Sequence, residues 1–166
     1  QCNTGHYPYA FDIDGDGHDE LAMGYSLFDD DGKQLWTLDN RLQDHADGVA
    51  VMRMSPDADP TLFIAGSDEG VIVLNTKGDI LHHDYLGHVQ NPAIAEFRPD
   101  LPGLEAVTVN FWGNQGIIHF YDAAGHAYHD FEPFQHGSMC LPVNWTGRGT
   151  EYVMLSANPD TGGLFD

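Results

Sequence analysis

Short apolar runs cut by Gly, Asp, Asn and Pro recur along the chain, the pattern of brief strands joined by tight turns. Three stretches read as hairpins with the same core: 26–36, 71–82 turning at Thr76-Lys77-Gly78, and 117–129 turning at Ala123-Ala124-Gly125. Their turn glycines, Gly32, Gly78 and Gly125, are spaced by 46 and 47 residues. A second set of strand pairs precedes the hairpins at 9–23, 50–65 and 93–109, and a fourth lies at 141–155. Anchored on Ile13, Met54, Phe97 and Trp145, these are spaced by 41, 43 and 48 residues. Each unit therefore predicts four short antiparallel strands in about 45 residues, the period of a β-propeller blade.

The fold class read from this repeat is all-β, with about three and a half propeller blades: 8–44, 45–87, 88–135 and an incomplete fourth at 136–166. Too few blades are present to close a ring of about four to eight. The expectation is a piece of a larger propeller, whose remaining blades would be its partners. In such blades, with strands named a to d from the channel outwards, the d-to-a and b-to-c loops share one face. The a-to-b and c-to-d turns share the other.

Composition agrees with strands and turns. Of 26 acidic residues, 20 are Asp, and the chain carries 19 Gly and 9 Pro, all turn formers. With 42% hydrophobic and 11% aromatic residues it is a folding sequence and not a disordered acidic tail. The net charge of −20, from 6 Lys and Arg, excludes a broad basic face for nucleic acid and disfavours an anionic membrane surface. No apolar run is long enough for a membrane span. The thiols, Cys2 and Cys140, fall at the starts of blades 1 and 4, too far apart across a ring to form a bridge.

The first a-to-b turn concentrates the acids. Asp12, Asp14, Asp16 and Glu20 stand at positions 1, 3, 5 and 9, with Gly17 at 6 and the His18 carbonyl at 7. This oxygen-rich, flexible set suits Ca²⁺ better than Mg²⁺; the alternative is an empty acidic turn. On the opposite face one histidine recurs per unit. His45, His88 and His136 each fall nine residues before an anchor, and His6 falls seven before Ile13. Such a ring either braces neighbouring loops or supplies acid–base or metal chemistry. The third b-to-c loop places Asn110, Trp112, Asn114 and Gln115 on that face, amides beside an aromatic that suit sugar hydroxyls and ring faces. The alternative is that Trp112 caps the blade edge and the amides cap turns.

The turn Asp12-x-Asp14-x-Asp16-Gly17-x-x-Glu20, followed by Leu21-Ala22-Met23-Gly24, resembles the FG-GAP repeat of integrin-type propellers. The same turn, taken with Asp30 to Trp36, Asp44-His45-Ala46-Asp47, Gly87-His88 and 97–105, resembles secreted bacterial polysaccharide lyases of the rhamnogalacturonan lyase type. That resemblance implies a secreted, periplasmic or cell-surface calcium-bearing propeller that cleaves uronic-acid polysaccharide by β-elimination. It makes His45, His88 and His136 the candidate base and acid, and Asn110, Trp112, Asn114 and Gln115 candidates for substrate binding. A cation must also neutralise the uronate carboxylate. Arg41 is the nearest basic residue before a d-to-a loop, while Arg53, Arg98 and Arg148 belong to the other face. The alternative is a non-catalytic, calcium-stabilised FG-GAP module that binds glycan or protein. A third, quinoprotein-like reading rests on Gly32-Lys33-Gln34-Leu35-Trp36 and is set aside because only one hairpin carries the Trp.

Overall fold

The computed structural model describes residues 5–133, 137, 139–155 and 163–166. Its strands form four antiparallel sheets, each built in chain order. Sheet 1 holds β1 (Tyr9–Phe11), β2 (Glu20–Met23), β3 (Ser26–Phe28) and β4 (Gln34–Thr37). Sheet 2 holds β5 (Gly48–Arg53), β6 (Pro60–Ala65), β7 (Val71–Asn75) and β8 (Ile80–Asp84). Sheet 3 holds β9 (Val89–Ala95), β10 (Glu105–Asn110), β11 (Ile118–Tyr121) and β12 (Ala127–Phe131). Sheet 4 holds β13 (Cys140–Val143), β14 (Tyr152–Leu155) and β15 (Gly163–Phe165). The first strands of successive sheets lie against one another, β1 on β5, β5 on β9 and β9 on β13.

Face-to-face stacking follows from the apolar content of the middle strands. In β6, Leu62 and Ile64 join the core shared with sheet 1, while Phe63 and Ala65 join the core shared with sheet 3. Successive side chains of a strand point to opposite faces, so a strand apolar at every position must be covered on both. β7 repeats the arrangement, with Ile72 and Leu74 on one side and Val71 and Val73 on the other. Each such buried side chain contributes about 1.5–3 kcal/mol. A third core, around Phe97, Val107, Ile118 and Val153, joins sheets 3 and 4.

The three repeated hairpins close by one device. Gly32, Gly78 and Gly125 donate to the carbonyls of Asp29, Asn75 and Asp122, and each has φ between 81° and 85°. The following register shift is a bulge of the kind a left-handed glycine permits. These turns also hold sheet to sheet. Trp36 of β4 donates its Nε1–H to Thr76 O at 2.9 Å, and a Cβ added to Gly78 would sit 2.8 Å from its indole. His82 occupies the matching place on the next turn, its ring centroid 4.3 Å from that of His126. Trp36 against Gly78 and His82 against Gly125 thus each dock an outer strand on the next sheet.

Antiparallel order gives the stack two ends. The turns after β1, β5, β9 and β13 share one end. There Arg53 donates to the carbonyls of Ile13 and Ala58, and Glu151 N donates to Glu96 O. The loops after β2, β6 and β10, and those joining one sheet to the next, share the other. Residues 6–7 run beside 46–49 there, with Tyr7 bridged in parallel to Gly48.

Candidate functional site

At the second end three loops converge on one carboxylate. Asp47 precedes β5, and its N–H donates to Ala65 O, which fixes it beside the loop after β6. Its side chain is 3% exposed. Ser67 Oγ donates to Asp47 Oδ2 at 2.5 Å. Three imidazoles close around the same group: His6 Nδ1 is 3.2 Å from Oδ1, His45 Nε2 is 3.6 Å from Oδ1, and His88 Nε2 is 3.2 Å from Oδ2. Two of these rings are held from behind by second carboxylates. His45 Nδ1 lies 2.8 Å from Asp44 Oδ1, and His88 Nδ1 lies 2.9 Å from Asp68 Oδ1. An imidazole placed between carboxylates can give or take a proton at a defined nitrogen, the requirement for acid–base work.

Backbone strain marks the same place. Ser67 and Asn91, both with φ of 51°, adopt the left-handed conformation that non-glycine residues rarely hold. Ser67 O accepts from Val89 N, and Asn91 Oδ1 accepts from Cys140 N, so both tie one sheet to the next. A recess of about 110 Å³ opens over Asp47, lined by His6, Tyr7, Gln90, Asn91 and Met139, with no Lys or Arg among them. Partial burial pushes the Asp44 carboxyl up, but the His45 N–H and imidazole and the Asp68 N–H outweigh it and hold the group below its ordinary value.

The structure therefore brings His45 and His88 together and adds His6. His136 lies outside the described residues. Trp112 is exposed and edge-on to His88, with ring centroids 6.5 Å apart. Asn114 and Gln115 are exposed beside it. Asn110 is placed differently: it is fully buried, donating to Leu86 O at 2.6 Å and accepting from His119 Nε2 at 2.7 Å. Its amide props the loop under Trp112, and it does not face a ligand. Arg53 and Arg98 are at the far end, where Arg98 pairs with Asp100. Asp47, Ser67 and Asp68 were not singled out by sequence reasoning as functional residues. The one local signal is for Asp47, an acid two residues after His45; Ser67 and Asp68 have none.

Among the described residues, three groups of side chains could hold a cation: His6, His45 and Asp47; Asp44, Asp68 and His88; and Asp12, Asp14 and Glu20. In each, ligand atoms lie within 4.8 Å of one another. The third is the acidic turn, where Gly15 and Gly17, with φ of 83° and 94°, let the chain bend around the carboxylates. Its all-oxygen donors fit a hard cation. Of the five residues expected there, Asp16 turns back to accept from His18 N, and the His18 ring lies 3.9 Å from Asp30. Glu20 also accepts from Ile13 N at 2.7 Å. Glu105 makes the same latch to Phe97 N at the start of β10, where no acidic turn exists, so the glutamate has a structural role independent of metal.

No protein-family model and no curated protein sequence matches the chain. Among solved structures, the rhamnogalacturonan lyase YesW superposes with a TM-score of 0.68 at 20% identity, over 98% of this chain and 28% of that one. The exotype rhamnogalacturonan lyase YesX superposes at 0.66 and 19%, over 98% of this chain and 30% of that one. The Bacillus licheniformis rhamnogalacturonan lyase PL11 gives 0.60 and 18%, over 97% and 35%. The chain thus spans about a third or less of each of these lyases, and what it shares with them is the fold of its stacked four-stranded sheets.

Proposed function

We propose that the four sheets are blades of a larger calcium-bearing β-propeller of FG-GAP type, and that the propeller is a secreted or cell-surface polysaccharide lyase. Its substrate is a uronic-acid-containing polymer of the rhamnogalacturonan kind, cleaved by β-elimination. The observation that carries this reading is the convergence of His45 and His88 on buried Asp47 beside exposed Trp112. The fold shared with rhamnogalacturonan lyases supports it.

β-Elimination needs a base for the C5 proton, an acid for the leaving O4 and positive charge on the uronate carboxylate. The imidazoles of His45 and His88 are oriented by Asp44, Asp47 and Asp68 for the two proton transfers. Asp44, Asp68 and His88, or His6, His45 and Asp47, would hold a divalent cation, which when bound supplies the positive charge. A cation on Asp44, Asp68 and His88 would leave His45 and His6 for the two transfers, whereas one on His6, His45 and Asp47 would leave His88 alone. Asp12, Asp14 and Glu20 would hold a structural Ca²⁺ at the far end. Cleavage of a polymer too large to enter a cell is work for an exported protein.

The test is incubation of the full-length protein with rhamnogalacturonan, ulvan and other uronate polymers, with and without calcium, reading absorbance of the unsaturated product. Product formation that falls in His45→Ala or His88→Ala supports the assignment. Absence of product from every polymer, with glycan binding retained, sinks it in favour of the second reading, a non-catalytic glycan-binding module. That reading draws on the recess itself, which holds Asp47 and has no Lys or Arg to meet a uronate.

A further inference from the structure

The first two seams between sheets are closed on their outer side by a turn glycine. Gly78 sits on Trp36, and Gly125 sits on Val73 and His82, which are cross-strand partners in β7 and β8. A Cβ on Gly125 would come within 3.1 Å of Val73 and 3.2 Å of His82, and φ there is 85°, so both the space and the backbone favour glycine. At the third seam the matching cross-strand pair is Phe120 of β11 and His129 of β12. These two line an open pocket of about 360 Å³ together with Phe131, Val153 and Phe165. Its apolar wall continues the core that joins sheets 3 and 4.

Sheet 4 holds three strands among the described residues, with β15 at its edge. An edge strand presents a row of N–H and C=O groups that can take another strand. Asp166, which also lines the pocket, sets the register. It follows Phe165, the partner of Val153, as Asp29 follows Phe28, the partner of Leu21, and as Asp122 follows Tyr121, the partner of Ala106. Asp29, Asn75 and Asp122 each open a turn in one way. The carbonyl accepts from a glycine three residues on, and the N–H donates to a carbonyl four residues on. The outer strands β4, β8 and β12 then begin five residues after the opener.

We infer that the pocket at the third seam is the seat of a β-hairpin turn opened by Asp166, which brings a glycine against Phe120 and His129 and an outer strand alongside β15. The occupant is the segment of the polypeptide that follows Asp166, because Asp166 already stands at the opener's place in the register. Docking it would also steady the recess over Asp47, since Asn91, which lines that recess, is bonded to Cys140 of β13. The inference rests on reading the four sheets as propeller blades and is independent of catalysis.

The test uses the full-length protein in a Cys2→Ser background. The residue three positions after Asp166 is expected to be glycine, or asparagine, which tolerates the same backbone. Any other residue there, or a polypeptide that ends at Asp166, overturns the inference. His129→Cys should react with a thiol reagent about tenfold more slowly than Leu81→Cys, an exposed position on β8, because the turn covers it. Valine at the turn position should bring the two rates together and speed hydrogen exchange of amides 163–165 about tenfold. Should the valine variant not fold, the comparison of His129→Cys with Leu81→Cys decides alone, and equal rates overturn the inference. Shielding of His129→Cys that appears only as protein concentration rises would put a second copy in the seat and also overturns it. Failure to form unsaturated product would sink the lyase reading and leave these rates unmoved.

Discussion

His88 Nε2 lies 3.2 Å from Asp47 Oδ2, and the same ring's Nδ1 lies 2.9 Å from Asp68 Oδ1. Asp47 and His88 stand 41 residues apart, in the loops that lead into sheets 2 and 3, so the pair exists only because sheet 2 stacks on sheet 3. The carboxylate has four polar neighbours and almost no contact with solvent. Removing it leaves Ser67 Oγ and His88 Nε2 without that acceptor, while His45 keeps Asp44 and His6 reaches solvent. Asp47→Ala is expected to destabilise the protein by about 2–4 kcal/mol, because the Ser67 hydroxyl and the His88 ring lose their buried acceptor. Ser67→Ala, which deletes one hydrogen bond, should cost about 1 kcal/mol. Urea unfolding midpoints rank the two, and an Asp47→Ala protein as stable as wild type would contradict the hub.

Trp36 and Gly78 form a second relationship of this kind. Trp36→Phe should lose only the bond to Thr76 O, about 1 kcal/mol, and Trp36→Ala about 2–3 kcal/mol. Gly78→Ala should cost about 2 kcal/mol, since φ is 81° and the new Cβ meets the indole at 2.8 Å. The double mutant should lose less than the two single losses together, because without the indole the collision disappears. Strict additivity in thermal unfolding would mean that the two do not touch.

Burial pushes the Glu105 carboxyl up, against the N–H donors of Arg98 and Phe97 that pull it down. A raised folded value means the unfolded chain ionises first as pH climbs. Stability from this group is therefore full below the ordinary Glu value of about 4.3 and falls as pH rises through the folded value. Glu105→Gln should remove that slope and leave neutral-pH stability unchanged or higher, since Oε1 meets no donor among the described residues. Glu105→Ala should lose about 1–3 kcal/mol by leaving two N–H groups without an acceptor. Unfolding followed from pH 4 to 8 separates the variants.

Calcium is expected to raise the Tm, by about 2.7 kcal/mol of added stability at a hundredfold excess over Kd. Asp14→Asn should abolish the rise. Asp14 is the better probe than Glu20, whose loss would also free Ile13 N. Equal calcium response in wild type and Asp14→Asn would dissociate the acidic turn from the ion.

Cys140 is wholly buried, and burial pushes its thiol up to about 12 while Sγ donates to Asn91 O at 3.1 Å. In a Cys2→Ser background it should resist thiol reagents at pH 8 until the protein is unfolded. Because the folded value is the higher one, stability should fall as pH rises from about 8.5, the ordinary thiol value, toward 12, and Cys140→Ala should lessen that fall. Prompt labelling under native conditions would show the thiol exposed.

What was legible in advance was what the chain encodes locally. Asn75 and Gly78 fix a turn within four residues, and the acids of 12–20 bend on their own glycines, so the strand order and the acidic turn could be read without knowing any distant contact. The His45 and His88 positions were legible too, because repetition at a fixed spacing puts them on one end of successive sheets. Asn110 was misleading: an amide beside an aromatic looks like a ligand group until His119 and Leu86 are seen to occupy it.

The sequence by itself determined the strands, their turns and the ends on which His45, His88 and the acidic turn lie, because short apolar runs and glycine φ preferences act over a few residues. Only the tertiary structure decided that Asp47 is the hub of His6, His45, Ser67 and His88, and that Trp112 stands edge-on to His88. Those depend on how sheets 2 and 3 pack, and the packing is set by apolar side chains far in sequence from the groups it brings together.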